Sequence, residues 1–265
     1  MPLFFVGCGH MGGSIVDGML KSKRFETEQI KVILPFHSPD SKKVQTRYNI
    51  QVFSEIPKAV VPRAVIFAVK PQTFPEIIPY YSSVLPKSTL IISIAAGKSI
   101  SFFKKHFPKN KIVRTMPNLN AMVGYGSAVG VTQDELDSSQ RQLVENIFGS
   151  VGSFSWVDDE SLIDAVTAIS GSGPAYYFLF TELLEKAAIG LGLPAGLAKN
   201  LARETFIGSA HTLENSDQAV ADLRAAVTSK GGTTEAAMEV LSEPLKILIE
   251  KATIAATKRG KDLGS

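Results

Sequence analysis

The first half of the chain alternates short, charge-poor apolar runs with longer segments whose apolar residues recur at helical spacing. Runs at 3–6, 30–34, 65–69, 90–94 and 112–115 are rich in β-branched and aromatic residues. They lack the polar alternation of a half-exposed strand, as strands covered on both faces should. Strands separated by helical segments predict an α/β domain with a parallel sheet. From about Ser161 onward the texture changes: Ala, Leu, Ile, Glu and Lys dominate and the segments lengthen to helical size. The second half is therefore expected to be all helical. Asp158, Asp159, Glu160 and Ser161 supply acidic and capping residues for a helix start at the change. The expected division is a Rossmann-type domain over 1–159 and a helical domain over 160–265. The long helix expected over 175–191 carries only Glu182, Glu185 and Lys186 as charges, too little polar face for a monomer surface, so burial between subunits is expected. No internal repeat or low-complexity tract appears.

Composition narrows the partners. The 265 residues are 45% hydrophobic and 20% charged, which is globular and excludes a disordered chain. Lys and Arg total 28 against 25 for Asp and Glu, and a net charge of +3 argues for neither a nucleic-acid nor a membrane footprint. A small-molecule partner is the better starting assumption. Cys8 is the only cysteine, so there is no intrachain disulfide and no multi-cysteine metal site. No signal peptide is apparent at the N-terminus. The charge-free stretch 165–181 is interrupted by Gly171, Gly173 and Pro174 and falls short of the ~20 apolar residues of a spanning helix. A soluble, cytoplasmic protein is expected.

Candidate chemistry begins at Gly7-Cys8-Gly9-His10-Met11-Gly12, a G-x-G-x-x-G turn between the first expected strand and a helix. There the first glycine permits the bend and the second lets amides approach a pyrophosphate. The third lets helix and strand pack closely, and the helix dipole favours the anion. The plain alternative is a glycine turn with no ligand. Cys8 and His10 read as turn residues, with no metal implied. About twenty residues on, where an NAD enzyme places an acid, none stands. His37, Ser38, Lys42 and Lys43 offer donors and positive charge to a ribose phosphate, favouring NADPH and leaving NADH as an alternative. The ends of later strands, Ala68-Val69-Lys70-Pro71-Gln72, Ser93-Ile94-Ala95-Ala96-Gly97 and Arg114-Thr115-Met116-Pro117-Asn118, fall at the carboxyl edge where open α/β sheets bind ligands. Pro71 disfavours helical geometry at Lys70, which can meet a cofactor, a substrate carboxylate or only solvent. Ala95 leaves room for a nicotinamide ring, and Met116, Pro117 and Asn118 are candidates to line the cleft. In the helical half, Pro174 suits the first turn of the long helix. The segment Val227-Thr228-Ser229-Lys230-Gly231-Gly232-Thr233-Thr234 runs into another helix, and its amides and hydroxyls form a nest for a carboxylate. A capped helix start is the plain alternative.

Together these segments resemble the pyrroline-5-carboxylate reductases, and most specifically so at Asp164 through Ala175 and at Leu223-Arg224 through Thr234. The resemblance covers most of the chain. It implies a Rossmann domain followed by a helical dimerisation domain, with NADPH, or NADH, reducing 1-pyrroline-5-carboxylate to L-proline in proline biosynthesis. It also implies a homodimer through interlocked C-terminal helices, with a larger assembly of dimers left open. Cofactor contacts would come from Gly7, Gly9, His10, Met11, Gly12, His37, Ser38, Ala68, Val69, Lys70, Pro71, Ala95, Met116, Pro117 and Asn118. Val227, Ser229, Gly231, Gly232, Thr233 and Thr234 would grip the substrate, and Thr234 and Lys70 would be catalytic. Many relatives have proline where this chain has Lys230.

No histidine, cysteine or paired carboxylate stands out as a general acid or base. A protonated cyclic imine is already an electrophile, so positioning would dominate, with Thr234 or a water serving the ring nitrogen. A 3-hydroxyacid dehydrogenase resembles the first half but needs a lysine early in the long helix, and 170–184 has none. A dinucleotide-binding sensor without turnover is the second rival. The last residues, from about Lys258, are expected to fray.

Overall fold

The computed structural model describes residues 1–34, 46–58 and 60–264. Its centre is β1 (Leu3–Val6), a wholly buried strand whose alternate side chains enter two separate cores. Leu3 and Phe5 point to one face with Ile30, Val32, Ile66 and Val113, and Phe4 and Val6 to the other with Ile33, Val65, Phe67 and Ile91. A strand with both faces covered has no polar position to spare, which is why its sequence reads as a continuous apolar run.

The sheet adds β2 (Ile30–Ile33), β3 (Gln51–Phe53), β4 (Ala64–Phe67), β5 (Leu90–Ser93), β6 (Ile112–Met116), β7 (Gly126–Val131) and β8 (Gly152–Trp156). Their order is β3-β2-β1-β4-β5-β6-β7-β8. The first six carry the doubly wound order with its reversal between β1 and β4, where such sheets bind ligands. The expected parallel sheet is present, and one pair in it, β6 and β7, runs antiparallel. Strands β3, β7 and β8 were not expected. The first is only three residues long, and the other two are interrupted by Gly126, Gly130, Gly152 and serines. Those glycines are required by contact: a Cβ on Gly152 would lie 1.9 Å from the Gly126 carbonyl oxygen.

Helices α1 (His10–Lys21), α2 (Phe74–Val84), α3 (Ile100–His106) and α4 (Ser138–Phe148) cover the sheet. On one face Phe67 meets the rings of Phe74, Tyr81, Phe103 and Phe107, with centroids 5.3–6.0 Å apart. Burial pushes the Tyr81 phenol above its ordinary range. At the far end of α1, Asp17 accepts from the Tyr48 hydroxyl and pairs with Lys21 at 2.6 Å and Arg47 at 3.0 Å. Partial burial and that carboxylate raise Tyr48 to about 12.

Beyond β8 the described chain is helical, as expected. A short α5 (Ile163–Val166) runs into a π-helical turn (Thr167–Gly171), followed by α6 (Gly173–Gly190), α7 (Ala195–Glu214), α8 (Val220–Ala226) and α9 (Thr233–Gly264). Two compact units emerge, one of residues 1–172 with 256–265 and one of 173–255. Composition changes at 158–161, whereas compactness changes at Gly173, because Ile163 and Ala168 are buried with the first unit. The expected fraying from Lys258 is also corrected, as α9 continues to Gly264. Two glycines make room for its end: a Cβ on Gly97 would lie 2.8 Å from the Leu263 carbonyl oxygen, and one on Gly260 would lie 3.1 Å from Asp164 Oδ1. The second unit buries Gly173, Pro174, Ala198 and Ala202 and exposes most of its large apolar side chains.

Phe67→Ala is expected to lower stability by about 3–5 kcal/mol, because four surrounding rings lose their common partner. Urea denaturation should show a lower midpoint with an unchanged slope.

Candidate functional site

The carboxyl ends of β1, β4, β5 and β6, adjacent in the sheet, form one rim. At the first end Gly7 turns the chain with φ +86°, a conformation that only glycine adopts without strain. Its amide donates to the Ile33 carbonyl at 2.8 Å, and the Ala68 amide donates to the Val6 carbonyl at 2.8 Å. A Cβ on Gly7 would meet Ala68 O at 2.8 Å and Val69 Cγ1 at 2.7 Å, and one on Gly12 would meet Ala68 Cβ at 2.9 Å. Gly9 is different: among the described residues a Cβ there would meet nothing within 4 Å. The turn is thus closed against β4 at two glycines and open at the third. Gly9 caps α1, and the first turn holds no acidic side chain, so nothing within that turn offsets the positive end of the helix dipole. The residues present fit the pyrophosphate of a dinucleotide. His10 is exposed, Met11 half-buried and Cys8 buried beneath the turn.

At the end of β4, Ala68 and Val69 are half-buried and Lys70 is exposed. Pro71 follows, and Lys70 is extended at φ −64°, ψ 145°, as its position before proline predicts. Beyond β5, Ala95 is buried and its amide donates to Ser93 Oγ at 3.2 Å. Beyond β6, Met116 is half-buried, and Pro117 and Asn118 are buried. The Asn118 side chain donates from Nδ2 to the Ser170 carbonyl at 3.0 Å and accepts the Ser127 amide on Oδ1 at 3.0 Å. Nearby, Arg114 pairs with Glu160 at 2.9 Å, and the same carboxylate oxygen accepts the Ile100 amide at 2.8 Å. His37, Ser38, Lys42 and Lys43 lie outside the described residues.

The late loop belongs to the helical unit. Thr228 Oγ1 donates to the Arg224 carbonyl at 2.7 Å, and the Gly232 amide to the Ser229 carbonyl at 3.0 Å. Gly231 takes φ +73°, and a Cβ on Gly232 would lie 2.6 Å from Ser229 Oγ, so both glycines are demanded by the bend. Helix α9 then starts at Thr233, leaving first-turn amides at Thr233 and Thr234 to point out of the helix end. Thr234 is half-buried, while Val227, Ser229, Lys230 and Thr233 are exposed. One partner was not anticipated: the Gly231 amide donates to Glu235 Oε2 at 2.6 Å. A carboxylate placed three residues after Gly232 was the available signal, since a side chain there can reach back around a helix start.

Comparisons with known proteins match both halves of the chain. A family described as pyrroline-5-carboxylate reductase dimerisation matches residues 160–263, and one described as NADP oxidoreductase, coenzyme F420-dependent, matches residues 2–97. The pyrroline-5-carboxylate reductase of Haemophilus influenzae is 36% identical across 98% of this chain and 96% of its own. Among solved structures, that of a pyrroline-5-carboxylate reductase from Coxiella burnetii gives a TM-score of 0.91 at 33% identity, covering 99% of this chain and 98% of that one. A Plasmodium falciparum pyrroline carboxylate reductase solved with NADP bound gives 0.85 at 30% identity, covering 100% and 98%. No described helix is long and apolar enough to cross a membrane. The likeness extends beyond the glycine turn through both the sheet unit and the helical unit, and the chain belongs to the pyrroline-5-carboxylate reductase family.

Proposed function

We propose that the chain reduces 1-pyrroline-5-carboxylate to L-proline with NADPH, the last step of proline biosynthesis. The observation that carries this reading is the Gly7–Gly12 turn, closed against Ala68 and open at Gly9, in a chain that follows the reductases along its whole length. The first-turn amides of α1 hold the pyrophosphate, with the helix dipole favouring its charge. Ala68 and Ala95 keep the rim low enough for a flat ring, and Met116 and Pro117 wall it. Lys70, exposed at the end of β4, brings a positive charge to that rim. In the late loop, the amides of Thr233 and Thr234 and the Ser229 hydroxyl take the substrate carboxylate, with Val227, Gly231 and Gly232 shaping the bend.

When bound, NADPH supplies the hydride that adds to the carbon of the protonated C=N bond, the carbon that becomes C5 of proline. The chain's task is then to orient the imine, exclude water, and serve the ring nitrogen through the Thr234 hydroxyl. NADH is the alternative donor. The helical unit buries almost nothing larger than alanine, while Phe178, Phe180, Leu183 and Leu248 stand exposed, which supports a homodimer with interlocked C-terminal helices. A larger assembly of such dimers is compatible with the same surface, and a cytoplasmic location with the chemistry.

Adding pyrroline-5-carboxylate to the purified chain should consume NADPH and release an equal amount of proline. No consumption with NADPH or NADH would contradict the reading. Thr234→Ala should lower kcat about 100-fold and alter its pH profile; an unchanged kcat and profile would remove Thr234 from the chemistry.

The two kinds of glycine should separate in experiment. Gly9→Ala places its methyl in open space at φ −74°, which alanine adopts freely. It should raise the KM for NADPH about tenfold, or about 1.4 kcal/mol, with little change in Tm. Gly12→Ala, which must push against Ala68, should cost about 1–3 kcal/mol of stability in thermal melts.

A further inference from the structure

Ser170 lies at the end of the π-helical turn, where the chain returns to α geometry, and an α-helical bond to its carbonyl would come from the amide four residues on. That residue is Pro174, which has no N–H. The donor comes instead from Asn118, whose Nδ2 lies 3.0 Å from the Ser170 carbonyl oxygen. Asn118 is only 6% exposed, and its Oδ1 is held by the Ser127 amide at the start of β7. One side chain thereby ties the end of β6, the start of β7 and the π turn together. The tie is reinforced by a close approach, since a Cβ on Gly171 would lie 2.9 Å from Met116 Cε. Satisfying a carbonyl would stabilise the chain anywhere, but this one is satisfied from the ligand-bearing rim. A π turn is also a rare departure from α geometry that is concentrated at functional sites.

We propose that Asn118 is a positioning residue: it fixes the Ser170–Gly171 backbone against the end of β6, and the reacting geometry at the rim depends on that placement. The proposal rests on the reductase reading, and assigns Asn118, whose two polar ends are both held by protein, an action through Ser170 in place of the direct cofactor contact that the family resemblance implies.

Pro174 supplies the test, because Pro174→Ala restores an amide that can satisfy the Ser170 carbonyl within the helix without tying it to β6. Asn118→Ala is expected to lower Tm and to lower kcat by about tenfold or more, with the KM for NADPH within about twofold. Asn118→Asp, which keeps the acceptor and loses the donor, should match it in kcat. In Asn118→Ala/Pro174→Ala, Tm should recover in part, the Ser127 amide having lost its acceptor, while kcat stays low. Recovery of kcat together with Tm, or an undiminished kcat in Asn118→Ala, would overturn the proposal and leave Asn118 a stabilising residue only. Wild-type turnover is the reference, and its absence would overturn the reductase reading alone. The tie would then be read by amide hydrogen exchange over residues 167–172, which Asn118→Ala should speed about tenfold or more; unchanged exchange would equally overturn it.

Discussion

The approach of two glycines to Ala68 governs how the first strand can hand over to the first helix. Gly7 and Gly12 lie so near the end of β4 that no side chain fits at either. That contact brings the start of α1 down onto the point where the strand order reverses. The helix end is left pointing its amides across Gly9, the one glycine of the three with space around it. A diphosphate needs close backbone amides and no side chain in the way, and the turn provides both by being tight on the protein side and empty on the other. The remaining rim is arranged around that opening by strands that share one edge.

The central strands could be read from the sequence because burial on both faces leaves them continuously apolar. Their neighbours could not, because the contacts that pack β7 against β8 demand glycine where a strand signature would need valine or isoleucine. Gly126 and Gly152 meet backbone to backbone, and Gly130 lies under Phe154, where a Cβ would come within 2.5 Å of the ring. The change of composition near Ser161 was visible, but the compact boundary at Gly173 was not, since it depends on where Ile163 and Ala168 are buried.

The candidate site divides in a similar way. Glycine turns announce themselves, because positive φ and close approach both select one residue type. The bonds that hold those turns do not. Asn118 reaches a carbonyl 52 residues away, and neither the asparagine nor Pro174 alone signals the pairing. The bond of Glu235 to the Gly231 amide was closer in sequence but concealed among residues that looked like helix surface.

The helical unit shows the opposite economy, with a surface written for another chain. Its helices α6 and α7 touch through Tyr177 and Phe206, whose ring centroids are 5.6 Å apart, yet its buried residues are glycine, proline and alanine. A fold with so little interior of its own is stable only when its exposed apolar faces are covered.

The most direct measurement of the central claim is the structure of the chain crystallised with NADPH. The pyrophosphate is expected over Gly9, its oxygens at about 3 Å from the first-turn amides of α1. A pyrophosphate bound away from that turn, with the amides facing only solvent, would contradict it.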